Sequence, residues 1–138
     1  MTADIIVFSV DDYLIGIDLS VVDRVIRAVE ISLIPEASVF CSGIINVHGE
    51  IVPVINVRKI LGLKDRNLEL NDQFILCVSN QKKMALWIDH STKIMSAPKD
   101  NGFAKEDLLL GIPGVKSIVK ENHHMIFIYE IETFAGKL

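Results

Sequence analysis

Apolar residues along this chain either alternate with polar ones or gather in short β-branched runs bounded by turn residues, the pattern of many short strands. Ile5 to Val10, Asp11-Asp12 and Tyr13 to Ile17 read as a hairpin. Ile44 to Val47 and Ile51 to Val57 read as a second, turning at His48-Gly49-Glu50, where Gly49 can supply a positive φ. Pro53 inside that strand is expected at an edge or a bulge, because it has no N–H to give a ladder. Phe74 to Ser79 and Met84 to Ile88 flank a turn at Asn80 to Lys83, and Val115 to Val119 and Met125 to Ile131 flank one at Glu121 to His124. Ser20 to Ala28 carries Val21, Val22, Val25 and Ile26, a spacing that predicts a short helix capped by Asp18 or Ser20. Lys64 to Glu69 is a polar connector and the best candidate for an internal boundary, while Pro98 to Gly102 reads as a polar loop.

The second half echoes the first. An offset of 69 lays Ile5 to Phe8 over Phe74 to Cys77, and an offset of 74 lays Ile51 to Gly62 over Met125 to Gly136. Two sets of strands that merely share a pattern would give the same echo; a true duplication predicts two small β-barrels side by side. Each would bury little alone, so an apolar seam between them is expected.

Composition narrows the class. The 138 residues are 50% hydrophobic and 23% charged with a net charge of −4, which describes one compact domain. A mean hydropathy of +0.39 raises the question of a membrane span. The longest stretch without Asp, Glu, Lys or Arg, Ala37 to Gly49, is well short of the roughly 20 apolar residues a span requires. No basic segment precedes Ile5 to Phe8, so no signal peptide is read and a cytoplasmic location is expected. An acidic chain with no Lys/Arg cluster longer than Lys82-Lys83 leaves no footprint for nucleic acid or an anionic membrane. Cys41 and Cys77 sit in separate apolar runs and read as two buried thiols.

A search for chemistry is mostly negative. Gly43, Gly49 and Gly62 are isolated and form no phosphate loop. His48, His90, His123 and His124 show no metal spacing, and neighbours such as His123-His124 face opposite ways on a strand, so no metal or cofactor is expected. Asp11-Asp12 signals a turn and Asp18 a cap, which leaves no catalytic residue to name. Trp87 reads as a core or seam residue, with an interface anchor as the alternative. Ile34-Pro35, then Val39, Phe40 and Gly43, place apolar groups in a loop that either meets a partner or folds over a barrel end.

The run Gly43 to Arg58, GIINVHGEIVPVINVR, resembles the signature of the CheW-like domain family of bacterial chemotaxis coupling proteins. Tyr13 to Asp18, Val22, Val25, Ile34-Pro35, Ile88-Asp89 and Met125 to Ile131 stand in the family's order, so the resemblance covers nearly the whole chain. It implies a mostly β fold of two small five-stranded β-barrels packed side by side with one or two short helices. The whole chain, 1–138, would be one such domain, with halves of about 1–66 and 67–138 and exchange of strands between barrels left open. The implied function is a non-catalytic adaptor between a chemoreceptor's cytoplasmic tip and the regulatory domain of a CheA-type histidine kinase, recruited to membrane receptor arrays through those partners. By position, the resemblance assigns Asn46, His48 and Gly49 to a receptor groove between the barrels and Val22, Val25, Ile34, Pro35 and Phe40 to kinase docking. Gly43, Pro53, Asn56 and Arg58 would hold the structure. Two positions depart from the family's pattern, His48 for its usual arginine and Asn56 for its usual aspartate. A histidine lacks the permanent charge and five donors of an arginine, which bears on any contact that turn makes. The alternative is a sensor barrel that holds a small molecule in the inter-barrel groove.

Overall fold

The computed structural model describes residues 2–98 and 114–138. Among these residues ten strands are formed: β1 Thr2–Val10, β2 Tyr13–Asp18, β3 Val22–Arg27, β4 Cys41–Val47, β5 Glu50–Asn56, β6 Gln73–Ser79, β7 Lys82–Ile88, β8 His90–Pro98, β9 Val115–Glu121 and β10 His124–Tyr129. Among the described residues two short helices, α1 Val57–Ile60 and α2 Ile131–Ala135, follow β5 and β10.

The strands form two five-stranded sheets, β8-β1-β2-β10-β9 (sheet A) and β3-β6-β7-β5-β4 (sheet B). Each has the same plan: an antiparallel hairpin, β1–β2 or β6–β7, whose second strand runs parallel to the second strand of another hairpin, β10 or β5. Main-chain hydrogen bonds repeat at the offset seen in the sequence: Asn56 N–H donates to Phe40 O at 2.8 Å, and Glu130 N–H to Gly114 O at 3.1 Å. Neither sheet coincides with a half of the chain. Sheet B is the unbroken stretch from Val22 to Ile88, inserted between β2 and β8 of sheet A.

The barrel expectation is corrected in one respect: both ladders are open. Sheet A ends at β8 and β9, which approach closely enough for Lys93 to pair with Glu121 across the gap but form no ladder. Sheet B is joined at a single bridge, where Ser32 and Ile44 exchange backbone hydrogen bonds of 2.8 and 2.9 Å. With β3 only six residues long and register shifts in β3 and β4, too little edge remains for a continuous closing ladder.

The described residues form three apolar clusters. The largest lies between the sheets, with Phe8, Ile15 and Ile17 of sheet A against Ile55, Ile75, Met84 and Leu86 of sheet B. One cluster lies on the other face of sheet B, around Phe74 and Trp87, and one on the other face of sheet A, around Val7, Ile126 and Ile128. Trp87 thus belongs to sheet B's own core, and the expected seam is the main core.

Several elements differ from expectation. Ser20 to Ala28 is not a helix: Leu19–Val21 form one 3₁₀ turn and β3 follows. Asp18 does cap, its Oδ1 accepting from Ser20 N–H at 3.0 Å, but β-branched residues and a ladder to β6 win the rest. Val57 and Ile131, read as strand ends, are the first residues of α1 and α2. The turns at Asn80-Gln81 and Asn122-His123 are tighter than read, both residues of each having positive φ, as a two-residue hairpin requires. The pattern does not signal strand β8, and of the loop expected at 98–102 only Pro98 lies within the described residues, as the last residue of β8. Pro53 lies on neither an edge strand nor a bulge of its own: it faces Ile44 of β4, just before the segment Val54 to Asn56 that pairs with β7, so its missing N–H removes no bond from that ladder. Cys77 is buried, its thiol pushed up to about 12 by burial, whereas Cys41 is only half-buried.

Candidate functional site

The motif from Gly43 to Arg58 folds as β4, a two-residue turn, β5 and the start of α1. Residues His48 and Gly49 have φ of 50° and 86°, and Asn46 Oδ1 accepts from Gly49 N–H at 2.8 Å, so asparagine and glycine at this spacing hold the turn from inside. His48 is exposed at the mouth of a cleft of about 130 Å³, whose walls include Asp23 and Arg24 of β3, Glu50 and Val52 of β5 and Lys83 of β7. The cleft's charges are already paired: Lys83 Nζ lies 2.7 and 2.5 Å from the Glu50 carboxylate oxygens, and Arg24 Nε 3.3 Å from Asp23.

At the other end of the motif, Asn56 caps α1. Its Oδ1 accepts from Lys59 N–H at 3.1 Å while its Nδ2 donates to Asp65 at 3.0 Å. That donated bond, first among its causes, holds the Asp65 carboxyl below its usual value. An aspartate here would cap equally well but set two carboxylates face to face. Arg58 is 2% exposed. Its Nη2 donates to Asp11 in the β1–β2 turn at 3.2 Å and to Asp89, which follows β7, while Asp89 Oδ2 accepts from Asp11 N–H at 2.8 Å. The motif arginine therefore fastens sheet A's first turn to α1 of sheet B.

The connector after α1 is fixed by a second guanidinium. Arg66 donates to both oxygens of Asp72 at 2.8 Å and to Asp89 at 2.9 Å, and Asp72 also accepts from Trp87 Nε1 at 3.0 Å and Glu69 N–H at 2.8 Å. Burial alone would raise the Asp72 carboxyl, but these donors outweigh it and hold it low, and the Asp72 bond raises Arg66 in turn. The sequence signalled none of this network, because Asp72, Arg66 and Trp87 carry no motif spacing and meet only through the fold.

The residues assigned to kinase docking separate into two groups. Val22 and Val25 of β3 are half-buried against the main core. Ile34 and Pro35 are exposed on the connector to β4, with Leu33 at 86% and Val39 at 69% exposure beside them. Phe40 is half-buried under the Lys137 ammonium, 5.2 Å from its ring centre. The loop thus exposes its tip and tucks its end against the C-terminal segment. Gly43, φ 138°, lies where a Cβ would come within 2.3 Å of Ser32 O, so only glycine admits the bridge that joins sheet B's edges. Among the described residues no group of three or more His, Cys, Asp or Glu could hold a metal, and no helix is long and apolar enough to cross a membrane.

Two cross-braced sheets that carry an exposed polar turn on one side and an apolar loop tip on another define a β scaffold with surfaces to offer. The family comparison is specific: the model of the CheW-like domain matches residues 4–137, and the chain belongs to that family. It is 23% identical over 140 residues to the chemotaxis protein CheW of Treponema pallidum, covering 96% of this chain and 82% of that one. A shorter match, 33% over 60 residues, joins it to the chemotaxis protein CheW of Thermotoga maritima, covering 44% of this chain and 40% of that one. Its fold is similar to the crystal structure of the scaffolding protein TtCheW from Thermoanaerobacter tengcongensis, with a TM-score of 0.83 and 29% identity, covering 97% of this chain and 88% of that one.

Proposed function

We propose that the chain is a non-catalytic adaptor that couples a chemoreceptor's cytoplasmic tip to the regulatory domain of a CheA-type histidine kinase, working in the cytoplasm at receptor arrays. The observation that carries this reading is the family match across 4–137. The receptor contact falls to Asn46, His48 and Gly49, supported by the exposure of that turn and the cleft beside it. Kinase docking falls to the β3 and β3–β4 region, with Ile34 and Pro35 as the exposed contacts and Val22, Val25 and Phe40 as their partly buried support. Gly43, Pro53, Asn56 and Arg58 fall to holding the structure, a reading supported by the close approach at Gly43, the strand position of Pro53, the side-chain hydrogen bonds of Asn56 and the ion pairs of Arg58.

His48 in place of the family's arginine supplies fewer donors and no permanent charge to the turn. His48→Arg is expected to strengthen retention of a receptor-tip fragment or of the kinase domain in pull-down and calorimetric titration. Unchanged binding of both would show that this turn makes no partner contact. Wild-type chain that retains neither partner would refute the coupling reading itself.

A further inference from the structure

The exposed apolar tip of the β3–β4 connector, Leu33 to Val39, is anchored at its start by the Ser32–Ile44 bridge within sheet B. Its other end is held by a segment that comes from sheet A. Ser38 Oγ accepts from Phe40 N–H at 3.2 Å and donates to the Lys137 carbonyl oxygen at 2.8 Å, a contact across 99 positions of sequence. The Lys137 ammonium stands 5.2 Å from the centre of the Phe40 ring, and the Phe40 carbonyl accepts from Asn56 N–H at 2.8 Å. Lys137 is itself firmly placed, because its N–H donates to Phe134 O of α2 at 3.1 Å and Phe134 is buried in the main core.

The turn at the end of the loop needs none of this to close, since Cys41 N–H donates to Ser38 O at 2.9 Å. What the Ser38, Phe40 and Lys137 contacts add is the direction of the loop relative to sheet A. Leu33 and Val39, the most exposed apolar side chains of the tip, stand between the two anchors. A loop already ordered when its partner arrives spares the association that ordering, and each residue whose backbone is set free again weakens binding by a factor of roughly 5 to 30. We propose that the chain leaving α2 clasps the β3–β4 loop and so presents its apolar tip to the kinase regulatory domain, with Ser38, Phe40 and Lys137 as positioning residues. The proposal rests on the coupling reading for that partner, and it makes a contact offered by sheet B depend on a segment of sheet A.

The test titrates the full chain calorimetrically with the kinase regulatory domain and, separately, with the receptor tip. Ser38→Ala, which removes the bridging hydroxyl, should weaken kinase binding about fivefold or more. Lys137→Met, which keeps the stem but not the charge, should weaken it about two- to fivefold, and Lys137→Arg, which returns a cation to the ring, should bind as wild type does. Receptor-tip affinity and melting temperature should change little in all three. NMR relaxation should show the amides between Leu33 and Val39 more mobile in Ser38→Ala and Lys137→Met but not in Lys137→Arg. Kinase affinity unchanged in both weakening variants, or a loop no more mobile in them, overturns the clasp. So does a loss of receptor-tip affinity or a markedly lower melting temperature, since the variant then acts through the whole fold. Wild type that fails to bind the kinase domain at all is a separate failure, which removes the coupling reading and this use of the loop with it.

Discussion

At position 43 a single hydrogen in place of a side chain lets the backbone of Ser32 cross β4, where any Cβ would lie 2.3 Å from a carbonyl oxygen. Gly43→Ala must open that bridge or strain it, and its φ of 138° adds a second cost, so a loss of about 2 kcal/mol or more is expected in urea unfolding. Asp72 acts through charge instead. Because the carboxyl is held below its unfolded value, the stability it contributes is complete above about pH 4 and is lost as the pH falls towards the lower folded value. Asp72→Asn should therefore be less stable at neutral pH and show a shallower acid-side decline, read by unfolding curves from pH 7 to 2 with Trp87 emission as the probe. Gly43 was legible in the sequence because a motif glycine has few reasons to exist. Asp72 was not, because a lone aspartate in a polar connector looks like every solvated one until the fold sets a guanidinium and an indole around it.

At the scale of elements, the misread stretch is instructive. Val21, Val22, Val25 and Ile26 satisfy a helical spacing and a strand's β-branched preference at once, and pairing with β6 decides between them. Local periodicity cannot contain that partner, which lies some fifty residues away. The hairpins were legible because their turns and both strands are neighbours in sequence. The helix α1 was hidden behind a continuous apolar run, although its cap, Asn56, stood at a motif position. That cap is testable. Asn56→Asp keeps the acceptor for Lys59 N–H but loses the bond to Asp65 and faces it with a second carboxylate, so a drop of roughly 1 kcal/mol is expected. Combining it with Asp65→Asn should restore most of the loss, because the donor then sits on the opposite side. A double-mutant cycle by chemical unfolding checks both statements.

Across the whole molecule, the repeat in the sequence and the division into sheets follow different boundaries. The echo at offsets of 69 and 74 was legible and pointed to two similar units, but the open ladders and the insertion of one sheet into the other depend on long-range pairing that no pattern encodes. Chains 1–66 and 67–138, expressed apart, should each stay unfolded by circular dichroism, since each holds strands of both sheets and completes neither; mixed together they should recover the native spectrum. The same layout sets an order on synthesis. A ribosome delivers chain from the N-terminus at about 5–20 residues per second, so the β1–β2 hairpin emerges first and finds its flanking strands β8 and β10 last. Sheet B, continuous from Val22 to Ile88, can be completed while that hairpin waits with its edges bare. The first strands made are thus the most exposed to wrong partners in a crowded cell, and a ribosome stalled between the end of β7 and β10 holds a finished sheet B with an unfinished sheet A.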